Sequence, residues 1–297
     1  MMNKETEQKR AELAKYIQLE VVEETSIQGI VVIGSVAKGI ARSDSDIDAV
    51  VFLEPYDLYA VPAESKWQPD TREYYGIFSD VRNFIQLDFC QRLDLGKWSQ
   101  PTYEWPEPIC AELSEGWLAF DRNGQIQPLI AEKTIYKDAI RQARLDESFT
   151  KLDWLLKEAT IERTWDTLGA RVAHYRLHSA FDYLMQALFA YNRCWRTLRS
   201  REIEDLVKLP WLPKKFEEHL LLLTNALIET KAGYLERAKS MQRCFAEVMA
   251  ICQQDGLYGN KAVNEAFTRL YDEPGRNWNM DKWNKMHKSR WKPPNPT

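Results

Sequence analysis

Residues 34–52 read GSVAKGIARSDSDIDAVVF, and they follow directly on Gly29-Ile-Val-Val-Ile33. The β-branched run up to Ile33 predicts a buried strand stopped by Gly34. A second run, Ile47 to Leu53, predicts the next strand and ends at Glu54-Pro55. Between them Gly34-Ser35 opens a short helical turn, and Ser45-Asp46-Ile47-Asp48 leads back into sheet. Residues two apart on a strand share a face, so Asp46 and Asp48 are expected on one side, with Ile47 turned inward. Two carboxylates held so close repel each other unless a cation lies between them. Hard oxygen donors favour Mg²⁺, which keeps waters and binds substrate phosphates. Gly34 lets a phosphate approach the backbone, and the Ser35 hydroxyl can donate to it. Lys38, Arg42 and Ser45, in the turn between, are candidates to meet the phosphates. For Lys38 and Arg42 a solvated face is an equal alternative.

Outward from this stretch, residues 4–24 predict a helix with Leu13, Ile17 and Val21 on its apolar face. A third strand is expected over Val81 to Cys90, where Val81, Asn83, Ile85, Leu87 and Phe89 alternate with Arg82, Phe84, Gln86 and Asp88. Gly116 to Phe120, followed by Asp121-Arg-Asn-Gly124, reads as a last strand and a tight turn. From about residue 130 the apolar period becomes helical. Leu145, Phe149, Leu152, Leu156 and Ala159 mark one helix. Leu177, Phe181, Leu184, Leu188, Tyr191, Trp195 and Leu198 mark a longer one, and Tyr234 to Cys252 a third. Pro210 and Pro213 fall between helices, where they cost least. The expected fold class is α+β: a mixed-sheet domain over residues 1–130, an antiparallel helical bundle over 131–271, and a Trp- and Pro-rich tail over 272–297. Trp278, Trp283 and Trp291 in that tail are candidates to pack on the bundle or on a second subunit, so a homodimer is compatible with the sequence.

The central stretch resembles the signature of the DNA polymerase β-like nucleotidyltransferase superfamily: an apolar run, Gly, Gly or Ser, a spacer of about ten residues, then Asp-apolar-Asp/Glu-apolar. Here the spacer from Ser35 to Asp46 is ten residues. The motif covers about 20 residues, and the α/β pattern extends the likeness over about 130. In its arrangement, the helical half is similar to antibiotic nucleotidyltransferases of the aminoglycoside and lincosamide type. The resemblance implies transfer of a nucleoside monophosphate, AMP from ATP or another nucleoside triphosphate, to an acceptor hydroxyl, with pyrophosphate leaving. It implies two Mg²⁺ ions held by Asp46, Asp48 and a third acid on a later strand, for which Asp88 is well placed, as metal ligand, general base or both. Asp80 and Asp94 are the other acids nearby, each at an end of that strand.

Competing motifs fail on inspection. Asp44, Asp46 and Asp48 imitate the start of a calcium loop, but Ala49 stands where Gly is required and Pro55 where Glu is required. Gly29, Gly34 and Gly39 fit neither a dinucleotide turn nor a P-loop. Five cysteines without CxxC spacing argue against a disulfide framework and a zinc site. A net charge of −4 speaks against a nucleic-acid partner. No window approaches the length of a membrane span and the N-terminus carries no apolar signal segment, so a cytoplasmic location is expected.

The acceptor is expected to be a small hydroxyl-bearing molecule chosen by the helical half. His178 and Asp182, one turn apart off the main apolar stripe, and Glu147 are the candidate contacts, with a buried hydrogen-bonded pair as the plainer reading of the first two. Acids at Glu147, Glu158 and Glu162 suit a cationic acceptor such as an aminoglycoside, although exposed Glu rows are usually solvated. Arg171 and His178 match loosely the Arg-x₆-His spacing of helical RNase toxins, a short pattern. Alternatives are an enzyme that modifies a protein or RNA, and a silent homologue that only binds nucleotide.

Overall fold

In the computed structural model the described residues are 2–56, 66–68, 73–75, 89–224 and 230–271. They fall into two compact units. One takes the described residues up to Ile135 together with Trp195–Glu202, and the other takes Tyr136–Cys194 and those from Ile203 onward.

The first unit opens with helix α1 (Lys4–Tyr16), which continues into a wide turn over Ile17–Val21. Asn3 caps α1, its side-chain oxygen accepting from the Thr6 amide at 2.9 Å. Strands β1 (Ile27–Ile33) and β2 (Asp48–Leu53) flank the single-turn helix α2 (Gly34–Ala37). Short strands β3 (Lys66–Gln68) and β4 (Glu73–Tyr75) pair antiparallel with each other. Next come β5 (Phe89–Asp94), α3 (Leu95–Trp98), α4 (Glu107–Ser114), β6 (Trp117–Asp121) and α5 (Ile126–Lys133). The main sheet runs β5-β2-β1-β6, with β5 parallel to β2 and the other pairs antiparallel.

The apolar runs of β1 and β2 are explained by cover on both faces. Ile30, Val32, Ala49 and Val51 pack with Leu13, Ile17 and Val21. Their neighbours Val31, Ile33, Val50 and Phe52 pack on the opposite side with Leu95, Trp98, Trp105 and Ile126. The period of two sorts one continuous hydrophobic run into two cores, and the spacing Leu13, Ile17, Val21 predicted the helical cover of one of them. The strand expected over Val81–Cys90 is described only from Phe89, and it runs on to Asp94; residues 81–88 lie outside the described residues. The tail from Asp272, with its three tryptophans, lies outside them as well.

The second unit is helical: α6 (Asp138–Leu156), α7 (Glu158–Tyr191), α8 (Glu202–Leu206), which begins on the last residue of the first unit, α9 (Phe216–Thr224), α10 (Lys231–Gln254) and α11 (Ala262–Leu270). Its core gathers the predicted stripes, with Phe149 edge-on to Phe245 at 5.5 Å and stacked on Tyr258 at 4.8 Å. Pro210 and Pro213 fall between α8 and α9.

Two details correct the periodicity. Ala159 falls past the end of α6, in α7, and is exposed. The long helix ends at Tyr191, because Arg193 takes a left-handed backbone (φ 57) that no continuing helix allows. Trp195 and Leu198 therefore leave the helix and belong to the first unit. Gly169, at φ 78 and ψ 170, breaks α7 internally, a conformation open to glycine. Among the described residues no helix is long and apolar enough to cross a membrane.

Candidate active site

The site grows from the end of β1. Ile33 pairs with Asp48, the first residue of β2, so the strand register sets the turn at Gly34 beside the second acid. Gly34 has φ +67, and a Cβ added there would lie 2.7 Å from Asp48 Oδ2. Two independent constraints thus demand glycine: the left-handed backbone and the carboxylate filling the space a side chain would take. Gly34→Ala is expected to cost about 1–3 kcal/mol from the backbone alone and to displace the Asp48 carboxylate. A melting midpoint within 1 °C of the parent would refute that.

Ser35 is half-buried in α2, and its backbone carbonyl accepts from the Ile40 amide at 3.0 Å, closing the loop. Beyond it, Ile47 is 3% exposed, whereas Asp46 is exposed and Asp48 half-buried. This is the alternation the sequence predicts, although Asp46 stands just before the strand and not in it. The Ser45 hydroxyl accepts from the Arg42 amide at 2.8 Å and forms a local turn. Arg42 pairs with Asp44 at 3.1 Å, both exposed. Lys38 Nζ lies 2.8 Å from Glu115 Oε2 in an exposed pair. Such pairs are worth less than about 1 kcal/mol each.

Asp88 lies outside the described residues. Phe89, which follows it, pairs with Asp48 across the parallel ladder, while Asp94 pairs with Leu53. Asp94 thus sits five residues along β5 from the acidic end, about 16 Å at strand spacing. Asp80 also lies outside the described residues.

Sequence reasoning missed Glu112, on α4, whose carboxyl feels the charge of Asp48, and Arg201, whose charge acts on Glu112. Burial is the largest influence on the half-buried Glu112 carboxyl and pushes its pKa up; the charges of Arg201 and Lys38 pull it down, and those of Asp48 and Glu115 push it up. The net direction is upward. A carboxyl raised in the folded state stabilises the fold below its unfolded pKa near 4, and that contribution is lost as pH rises through the folded value. Glu112→Gln is therefore expected to melt higher than the parent at pH 7, with the difference closing below about pH 4. A parent that melts higher at pH 7 would reverse the sign and refute this. Nothing in the amphipathic stretch around Glu112 distinguishes it in the sequence. Arg201 comes from a segment far along the chain that returns to this unit.

The acceptor candidates lie in the helical unit. Glu147 is half-buried and accepts from Gln186 Nε2 at 2.9 Å. Asp182 is half-buried and His178 exposed on α7; Glu158, Glu162 and Arg171 are exposed. The structure thus brings Glu147 to Gln186, one turn past Asp182. Cys110, Cys244 and Cys252 are buried free thiols, with pKa values pushed up by burial to about 12, 11 and 12, which keeps them protonated and unreactive.

Residues 14–92 match the nucleotidyltransferase domain family. The matched segment contains β1, the Gly34 turn, both aspartates and β2. Among solved structures the chain is similar to a nucleotidyltransferase-like protein from Exiguobacterium sibiricum 255-15, with 14% identity, a TM-score of 0.43, and coverage of 94% of this chain and 87% of that one. No curated protein matches the chain.

The donor set around Gly34 fits a hard divalent cation. Asp46 and Asp48 offer carboxylate oxygens two residues apart, and the missing Cβ of Gly34 makes the room that Asp48 Oδ2 occupies. Among the described residues no group of three or more His, Cys, Asp or Glu gathers as a complete metal site. Two carboxylates suit an ion whose other ligands are waters and substrate phosphates.

Proposed function

We propose that this protein is a metal-dependent nucleotidyltransferase that moves a nucleoside monophosphate, AMP from ATP, onto a hydroxyl of a small molecule and releases pyrophosphate. The observation that carries the reading is the Gly34–Asp48 contact, a left-handed glycine whose missing side chain is replaced by a carboxylate oxygen, inside the segment that matches the nucleotidyltransferase domain family. Asp46 and Asp48 hold Mg²⁺, with Asp88 as the third acid. When bound, the metal neutralises phosphate charge and lowers the barrier to in-line displacement. The Gly34-Ser35 turn receives the triphosphate, and Lys38, Arg42 and Ser45 orient it. The acceptor oxygen bonds to the α-phosphorus, the bond from that phosphorus to the bridging oxygen breaks, and the hydroxyl proton passes to Asp88.

The helical unit chooses the acceptor through Glu147, His178 and Asp182, and its acids favour a cationic molecule of the aminoglycoside kind. The test is pyrophosphate release with Mg²⁺ and each nucleoside triphosphate across a panel of hydroxyl-bearing acceptors. Release that depends on a small cationic acceptor supports the proposal. Turnover only with a protein or RNA acceptor would overturn the substrate class, and no release with any acceptor would overturn the activity.

A further inference from the structure

The turn that carries Gly34 and Ser35 is held from behind by the first helix. α2 is a single turn, so its last carbonyls, those of Val36 and Ala37, have no amide of a following turn to bond. Arg10 on α1 satisfies both. Its Nη2 donates to Ala37 O at 2.7 Å and to Val36 O at 3.0 Å, and its Nε donates to Val36 O at 3.3 Å. The same guanidinium lies 4.4 Å over the ring of Trp117 on β6, the strand paired with β1. It is thus fixed between a sheet side chain and the turn.

The start of α1 adds three more ties. Asn3 Nδ2 donates to Ala41 O at 2.8 Å, the Ala41 amide donates to the fully buried Thr6 hydroxyl at 3.0 Å, and the Asn3 amide donates to Gly39 O at 3.2 Å. All of these contacts end on the backbone between Val36 and Ala41, the span between Ser35 and the paired acids.

We propose that Arg10 is a positioning residue for nucleotide binding, its guanidinium fork fixing the Gly34–Ala37 turn against the sheet in the conformation that receives a triphosphate. The proposal rests on the nucleotidyltransferase reading for its ligand, and on the hydrogen bonds alone for the clamp. A lysine presents one point charge on a flexible stem, so it cannot hold two adjacent carbonyls and stack on Trp117 at once.

Arg122 offers an internal control. Its guanidinium likewise donates to several carbonyls, those of Ile27 at 2.8 Å, Glu24 at 2.8 Å, Val21 at 3.1 Å and Val22 at 3.2 Å, but at the other end of β1. Loss of that set destabilises the unit without touching the turn.

The experiment compares the full chain with Arg10→Ala, Arg10→Lys and Arg122→Lys. The first readout is the Kd for α,β-methylene ATP in Mg²⁺, with the matching GTP, CTP and UTP analogues run alongside. The second is amide hydrogen exchange over residues 35–41. Arg10→Ala should raise the Kd about tenfold, the equivalent of one or two lost hydrogen bonds. Arg10→Lys should fall between it and the parent. Arg122→Lys should lower the melting midpoint yet keep the Kd within about twofold. Exchange over residues 35–41 should quicken at least about tenfold in Arg10→Ala, while the β1 amides stay protected. Unchanged exchange in a folded Arg10→Ala protein overturns the clamp, and an equal Kd rise in Arg122→Lys reduces it to general stability. A parent that binds none of the four analogues defeats the nucleotidyltransferase reading and the assigned ligand, while the exchange result still decides whether Arg10 holds the turn.

Discussion

Asp48→Asn is expected to lower pyrophosphate release at least about 10³-fold, and Asp46→Asn to do the same, with melting midpoints close to that of the parent. Each substitution keeps the side-chain volume and removes one unit of negative charge from the proposed cation site. Because Asp46 is exposed and Asp48 half-buried at the mouth of the sheet, neither carries the core. Their value is electrostatic, so the amide should fold normally and bind the divalent cation poorly. In Asp48→Asn the amide also faces Gly34 at the distance where Oδ2 now sits, 2.7 Å from where a Cβ would be. The measurement is pyrophosphate release against Mg²⁺ concentration, followed by thermal melting of the same samples. Turnover within tenfold of the parent in either variant would remove these acids from the chemistry. A collapse of the melting midpoint would instead show that they are structural.

Asp146→Ala should produce the largest loss of stability in the helical unit, about 3–5 kcal/mol. Asp146 is 3% exposed on α6. It accepts from the Tyr258 hydroxyl at 2.6 Å, from Arg269 Nε at 2.8 Å and Nη2 at 3.0 Å, and from Gln142 Nε2 at 3.1 Å. Alanine leaves a guanidinium and a phenol on that side without their acceptor, in the place where α11 docks on α6. Burial and the bond to Asp146 together push the Tyr258 phenol well above its usual pKa, so it stays a donor at every pH the protein meets. A midpoint drop of roughly 10 °C is expected at this size. Asp146→Asn, which keeps an acceptor oxygen but loses the charge, should fall between the two. If alanine and asparagine melt alike, close to the parent, the network contributes little and the aromatic stack of Phe149 on Tyr258 holds α11 instead.

The contrast between the paired aspartates and Asp146 shows what the sequence discloses. Asp46 and Asp48 stand out as candidates because the features that nominate them are local: strand alternation, a glycine turn and a spacer of fixed length all lie within 19 residues. The sheet core is legible for the same reason, since Leu13, Ile17 and Val21 and the runs of β1 and β2 carry their periods on the surface of the sequence. Asp146 is not legible. It sits in a helix among Arg144, Glu147 and other charged residues, and only the fold brings Tyr258 and Arg269 to it across more than a hundred residues. Glu112 and Arg201 fail to announce themselves for the same reason, because their effect on the site depends on which segments the fold returns to the sheet. The overrun of the α7 stripe into Trp195 and Leu198 has a different cause. Apolar spacing continued past the helix, and the reversal at Arg193 is a backbone choice that no side-chain period encodes.

That reversal has an effect on the order in which the protein can be assembled. Trp195 donates its indole N–H to Thr134 O at 2.8 Å, the Arg196 amide donates to Glu107 at 3.4 Å, and Arg196 pairs with the buried Glu202. The unit that holds the aspartates is thus discontinuous along the chain. During synthesis it waits for two long helices to emerge before its last segment arrives, and a gene fragment cut at Ile135 encodes a sheet with part of its own wall missing.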